Sequence, residues 1–214
     1  QDKPYLTSFV KRLGRITKSQ RSALEALKNH HLEGPKELSD LAKSYNKIIL
    51  EIGFGNGENT TFLAAQNPNA LIVASEVYLS GIGSLLNSIA QNSLNNIKIY
   101  DDDVRELILN LPKDMFNEVY IICPDPWPKA RHHKRRLIKH EFLKVLAKVL
   151  RKDGTVYIST DWENYAESIE EEIYKTKEYF SFKQISNEGM PITRFQQRAI
   201  NEGRSIHTFL LKVL

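Results

Sequence analysis

Five short, apolar, β-branched runs recur along this chain, each followed by residues at helical spacing. They are Lys47–Ile52, Leu71–Glu76, Ile97–Tyr100, Glu118–Cys123 and Thr155–Ser159. Runs of this length and composition read as buried strands. Between them, residues 58–67 predict a helix stopped by Pro68, residues 79–92 one carrying Leu79, Ile82, Leu86 and Ile89, and residues 104–111 one ended by Pro112. Residues 137–150 continue the pattern, with Gly154 expected as the helix cap, and residues 162–174 give the last helix of the series. Phe182–Ile185 and Ile206–Val213 add two strands near the end. Strands alternating with helices require a parallel sheet covered on both faces. The expected fold is a doubly wound (Rossmann-like) α/β domain with a seven-stranded, mostly parallel sheet. We place it over residues 45–214, preceded by a basic arm with short helices over residues 1–44. Ligands of such sheets bind outside the carboxyl ends of the strands. That rule directs attention to residues 51–57, Glu76, residues 101–103, 123–129 and 160–162.

A chain of 214 residues suits one domain. No stretch approaches the roughly 18 apolar residues of a membrane span. The N-terminus lacks the apolar segment of a signal peptide. The single cysteine, Cys123, excludes a disulfide framework or a multi-cysteine zinc site, and a reducing cytoplasm is the expected setting. The first residue is Gln rather than Met, which points to a chain cut from something longer. The net charge is only +4, but it is unevenly distributed. Lys3, Lys11, Arg12, Arg15, Lys18 and Arg21 make the start basic. A second basic block runs from Lys129 to Lys139, with no acid between Asp125 and Glu141. Residues 163–178 carry six glutamates. Charge runs are often solvated helix faces. The middle block, however, follows a Pro-rich loop with a tryptophan, a composition suited to phosphate contacts beside base stacking.

The first strand closes in Glu51-Ile52-Gly53-Phe54-Gly55-Asn56-Gly57-Glu58. Gly53, Gly55 and Gly57 permit a tight turn and close backbone approach. A dinucleotide site wants a third-position glycine and a pyrophosphate at the helix start. Glu58 occupies that position, and its charge opposes a phosphate. No phosphate-binding G-x-x-x-x-G-K-[ST] sequence is present. With Glu51 just before the turn, the site suits a phosphate-free ligand with a cationic part. S-adenosylmethionine has these properties. Glu76 closes the second strand, where an acid can accept both ribose hydroxyls. Asp103 closes the third, near the expected adenine, although Asp101 and Asp102 adjoin it. A turn without ligand and a nicotinamide site are the alternatives.

Residues 124–136 read Pro-Asp-Pro-Trp-Pro-Lys-Ala-Arg-His-His-Lys-Arg-Arg. Three prolines stiffen the segment and fix Asp125, Trp127 and Lys129 at the mouth of the site. His132 and His133 are adjacent and share no face, so no metal is expected.

These residues resemble the bacterial tRNA (guanine-N7)-methyltransferases. The likeness rests on EIGFGNG, Glu76 and PDPWPKARHHKRR, with Thr160-Asp161-Trp162 and Thr193–Arg198 at matching places, and it covers about residues 45–214. The resemblance implies methyl transfer from S-adenosylmethionine to N7 of guanine 46 in the variable loop of tRNA. It implies cofactor contacts from Glu51, the glycine loop, Glu76, Asp103 and Asp125, and substrate contacts from Lys129, Asp161, Thr193, Arg194, Phe195 and Gln196. Arg131, His132, His133, Lys134, Arg135 and Arg136 would form the RNA-contacting loop. The family usually has Glu where this chain has Gln196, and Gly where it has Ala199.

Guanine N7 carries a lone pair and no proton, so its alkylation needs no general base. The work left to the protein is orientation and electrostatics. Asp161, with Asp125, is the expected catalytic pair. Asp161 would read the N1–H and amino edge of the base, and the alternative role for it is capping the following helix. Two rival functions are methylation of another base position or amine, and RNA binding without catalysis. The oligomeric state is not legible.

Overall fold

The protein is described from a computed structural model covering residues 5–9, 15–187 and 189–214. Lys3, Lys11 and Arg12 of the basic arm lie outside the described residues.

The strands are β1 (Ile48–Ile52), β2 (Leu71–Ser75), β3 (Ile97–Tyr100), β4 (Phe116–Ile122), β5 (Leu150–Thr160), β6 (Phe180–Gln184) and β7 (His207–Val213). The α-helices are α1 (Lys18–Ala23), α2 (Leu27–His30), α3 (Pro35–Ala42), α4 (Glu58–Gln66), α5 (Leu79–Gln91), α6 (Val104–Leu109), α7 (His140–Val149), α8 (Glu163–Tyr174) and α9 (Arg194–Asn201). One seven-stranded sheet has the order β3-β2-β1-β4-β5-β7-β6. The pairs from β3 to β5 are parallel, and β7 runs antiparallel to β5 and β6. The order reverses between β1 and β4, so their carboxyl ends diverge into a crevice.

The strands are apolar because the sheet is covered on both sides. One face packs Leu50, Val119, Ile158, Leu143 and Phe209; the other packs Ile49, Ile72, Ile82, Leu85 and Ile99. Burying each such side chain contributes about 1.5–3 kcal/mol before conformational entropy is subtracted.

The segment before β1 belongs to this packing. Leu24 and Leu27 lie against the second cluster, and α1 reaches α5 through Gln20 Nε2, which donates to Ser84 at 2.9 Å. The Leu32 N–H donates to the carbonyl of Ile99, and Leu32 and Leu38 are fully buried.

Gly154 does not cap α7. The helix ends at Val149 and the chain passes directly into β5, whose register against β4 shifts between Phe116 and Glu118. Asp153 takes the left-handed turn instead, and a Cβ at Gly154 would lie 2.7 Å from the Arg151 carbonyl. The helix after β5 is acidic as expected, but Glu172 turns inward. His140 and Lys175 bind its carboxylate and hold its pKa down at about 2 despite burial.

No described helix is long and apolar enough to cross a membrane.

Candidate active site: an acidic cleft and a basic rim

The glycine loop turns through three left-handed residues, Gly53 (φ 69°), Gly55 (φ 60°) and Gly57 (φ 88°). Gly57 is also sterically required, because a Cβ there would lie 2.7 Å from Leu85 of α5. Gly81 serves the same packing; a Cβ on it would overlap the Gly55 carbonyl. Sequence reading did not mark Gly81, since nothing local distinguishes it from any helical glycine.

The loop opens onto a cleft at the carboxyl ends of β1 to β4. Six carboxylates line it: Glu51, Glu58, Glu76, Asp102, Asp103 and Asp125. Among the described residues no lysine, arginine or histidine does. Phosphates are excluded from such a cleft electrostatically, and a cation is favoured.

Glu51 is fully buried in β1. Its two oxygens accept from Asn59 Nδ2 (3.2 Å) and Thr60 Oγ1 of α4. Burial pushes its pKa up to about 7, with Glu58 and Glu76 adding to the rise against those two donors. Glu76 accepts from the backbone N–H groups of Gly55 (2.9 Å), Val77 (2.8 Å) and Tyr78 (3.2 Å). Burial raises its pKa, opposed by these three bonds. Its Oε2 carries a single bond and so retains an acceptor direction for a hydroxyl.

The acids after β3 divide by role. Asp101 pairs with His31 at 3.1 Å. Asp103 caps α6 and holds buried Arg105 in a two-pronged ion pair, 3.0 Å to Nε and 2.8 Å to Nη2. Asp103 lines the cleft, but its carboxylate is committed to that arginine. Asp102 lines the cleft beside it.

Arg105 and Trp127 anchor a segment that sequence reading missed. Tyr5 stacks on the Arg105 guanidinium at 3.8 Å, and Arg105 Nη1 donates to the Leu6 carbonyl at 2.8 Å. Trp127 Nε1 donates to the Ser8 carbonyl at 2.9 Å. Ser8 and Phe9 line the cleft. Arg105 follows β3 and Trp127 follows β4, with β2 and β1 between them. Residues 5–9 are therefore held between the segments that follow β3 and β4, beside the cleft. No motif marks such a segment, because its contacts are to residues about a hundred positions away.

The basic loop forms the rim. Lys129, Arg131 and Lys134 are exposed, and Arg135 stacks on Trp127 at 5.2 Å. His132 packs edge-on against the same ring, and partial burial with Arg131 and Arg135 nearby lowers its pKa. His133 is half-buried. Arg136 departs from the expected RNA-contacting role, being only 4% exposed. Its Nε donates to the Pro126 carbonyl (2.9 Å), its Nη2 to Asn164 Oδ1 (2.8 Å), and it stacks on Tyr165. It fastens the Pro-rich turn to α8 and presents nothing to a phosphate.

Gln196 departs similarly. It is 1% exposed, accepts from the Thr193 N–H (3.0 Å) and donates to Ser159 Oγ (3.4 Å). With Thr193 Oγ1 accepting from the Gln196 N–H, this is a capping box, which takes Glu or Gln alike. The substitution therefore keeps a structural role, with the side chain turned into the protein. Thr193 and Phe195 line the cleft, Phe195 remaining 59% exposed. The Arg194 guanidinium lies 3.5 Å from Glu58.

Asp161 follows β5 and is not a helix cap: Trp162 holds that position and makes no side-chain bond. The Asp161 carboxylate instead meets Arg204 at 3.0 Å. Burial, with the nearby Asp161 carboxylate adding to the rise, pushes the Cys123 thiol pKa up to about 12, so the thiol is neutral. Cys123 lines the acidic cleft, and Asp161 lines a second pocket with Trp162, Arg204 and His207. Asp125 is exposed at the rim of the first.

Comparison with known proteins agrees with this geometry. A family model described as "Putative methyltransferase" matches residues 45–209. A tRNA (guanine-N(7)-)-methyltransferase of Nitrosospira multiformis is 37% identical over 210 residues, covering 94% of this chain and 91% of the relative. One from Wolbachia pipientis is 35% identical over 202 residues, covering 92% and 91%. Most of the first 44 residues fall within these matches. Among solved structures, the 16S rRNA methyltransferase KamB superposes with a TM-score of 0.62 at 16% identity, covering 83% of this chain and 93% of that one. The tRNA (m1A58) methyltransferase TrmI of Aquifex aeolicus gives 0.53 at 17%, covering 95% and 72%. At those identities the structures establish the fold alone. The full-length relatives go further, and by them the chain belongs to the tRNA (guanine-N(7)-)-methyltransferase family.

Proposed function

We propose that this protein transfers the methyl group of S-adenosylmethionine to N7 of a guanine in tRNA, at position 46 of the variable loop. The carrying observation is the cleft itself, lined among the described residues by six carboxylates and no cationic side chain, over a left-handed glycine turn. It fits a ligand bearing an ammonium and a sulfonium and no phosphate. S-adenosylmethionine, when bound, supplies a methyl group on a positively charged sulfur.

The chain's own residues supply recognition. Glu51 and the Gly53–Gly57 turn form the floor beneath the cationic end. Glu76 Oε2 accepts a ribose hydroxyl. Asp102 and Asp103 border the adenine. Thr193 and the exposed ring of Phe195 complete the wall, and Asp125 stands where the methyl donor and base would meet. Lys129, Arg131, Lys134 and Arg135 take tRNA phosphates, and Arg194 flanks them. Asp161 accepts from the N1–H and amino group of guanine, which selects that base and offsets the positive charge of the methylated ring. N7 needs no base to act, so no residue is assigned one. We place the reaction in the cytoplasm.

The test is labelled methyl transfer to bulk tRNA followed by cleavage of the chain at 7-methylguanosine. Label at N7 is expected. Label on an exocyclic amine, or none, overturns the reading. Replacing Asp161 with Ala should lower the rate with tRNA at least tenfold while cofactor affinity stays within twofold.

A further inference from the structure

The pocket beside the acidic cleft contains an arginine that the reaction does not account for. Its place is set by the end of α9. The Gly203 N–H donates to the Ile200 carbonyl (2.9 Å), the Arg204 N–H donates to the Ala199 carbonyl (2.9 Å), and Gly203 is left-handed at φ 77°. This is a Schellman closure, which satisfies the last helical carbonyls and reverses the chain. The reversal brings Arg204 to the end of β5, where β7 begins with His207 paired to Thr160.

There Arg204 Nε and Nη2 both lie 3.0 Å from Oδ2 of Asp161. Its third nitrogen, Nη1, donates to Glu202. The guanidinium is thereby held flat between two acids. Both of these contacts to Asp161 fall on one oxygen.

We propose that Arg204 is a positioning residue for base selection. It fixes the plane of the Asp161 carboxylate so that its lone pairs face the donor edge of guanine. This rests on the reading of Asp161 as the base-reading acid. A carboxylate on a free single bond samples many orientations, and only some present its unoccupied oxygen to the N1–H edge of guanine. Pinning Oδ2 removes that freedom before the base arrives. A base with an acceptor at N1, such as adenine, then meets a fixed negative oxygen, and its rejection does not depend on closure of a loop.

The experiment is a double-mutant cycle in the full chain, reading kcat/KM for methyl transfer to tRNA alongside cofactor affinity by titration. Arg204→Ala should lose tenfold or more in kcat/KM, with cofactor affinity within twofold and partial recovery in millimolar guanidinium chloride. Combined with Asp161→Ala, it should cost no more than Asp161→Ala alone. Wild-type activity in Arg204→Ala overturns the proposal. So does a loss that multiplies with that of Asp161→Ala, which would mean that Arg204 acts apart from Asp161. If Asp161→Ala itself keeps wild-type activity, the prior reading of Asp161 fails, and that result is separable from the other two. Arg204→Gln keeps the stem and one donor and should give an intermediate loss; it decides the matter by the same criteria if the alanine variant does not fold.

Discussion

At the scale of single residues, Glu51 makes a pH-dependent contribution whose sign is fixed. Its folded-state pKa of about 7 lies above the ordinary 4.5. Between those values the folded protein holds a proton that the unfolded chain has released. The contribution to stability is full below about 4.5 and is lost as pH rises through 7, amounting to up to about 3 kcal/mol. Urea denaturation of the cofactor-free protein should show the decline between pH 5 and 8, and Glu51→Gln should flatten it. A bound cation acts oppositely, since it favours the ionised carboxylate. Cofactor affinity should therefore rise across the same interval, and the rise should vanish in Glu51→Gln. The importance of this acid was legible from its place at the end of the first strand. The reason it stays partly protonated was not, because its burial and the nearness of Glu58 and Glu76 arise only in the fold. Arg136 shows the same limit. In sequence it is the last of a basic run, and only Pro126, Asn164 and Tyr165 reveal that it faces inward. Arg136→Ala should destabilise the protein by about 2–4 kcal/mol, because it strips partners from buried polar groups. Arg131→Ala should change stability by less than about 0.5 kcal/mol. Thermal unfolding of the two variants separates these roles.

At the scale of elements, the strands and most helices were legible because apolar periodicity reports burial directly. All seven strands lie where the runs predicted, with ends shifted by a residue or two in most cases. The largest difference is β5, which starts at Leu150 and not Thr155. The cause is a register shift against β4, a two-strand property that no single run contains. Helix α9 illustrates a motif whose residues were found and whose meaning was not. Thr193 and Gln196 stood out as a substrate motif, yet their first duty is to start the helix. Gln196→Ala should cost about 1 kcal/mol through loss of the box, and Gln196→Glu should cost little in circular-dichroism melts. The basic loop, with Arg136 removed from its count, still exposes Lys129, Arg131 and Lys134. Replacing Arg131 and Lys134 with alanine should weaken tRNA binding and reduce the slope of log affinity against log salt by roughly one to two, with cofactor affinity unchanged.

Across the whole molecule, a net charge of +4 conceals a separation by depth. Cations lie on the rim and carboxylates in the cleft, so a polyanion is drawn to the surface and kept from the floor. Raising salt from 50 to 200 mM should therefore lower affinity for tRNA steeply and affinity for the cofactor slightly, measured by parallel titrations. The residues before β1 are part of this arrangement, since α1 packs on α5, α2 lies against β3, and Ser8 and Phe9 line the cleft. That segment ties the two charge layers together: the Trp127 ring whose Nε1 holds the Ser8 carbonyl also carries Arg135 of the basic rim, so a phosphate drawn to Arg135 would bear on the same side chain that holds residues 5–9 beside the cleft.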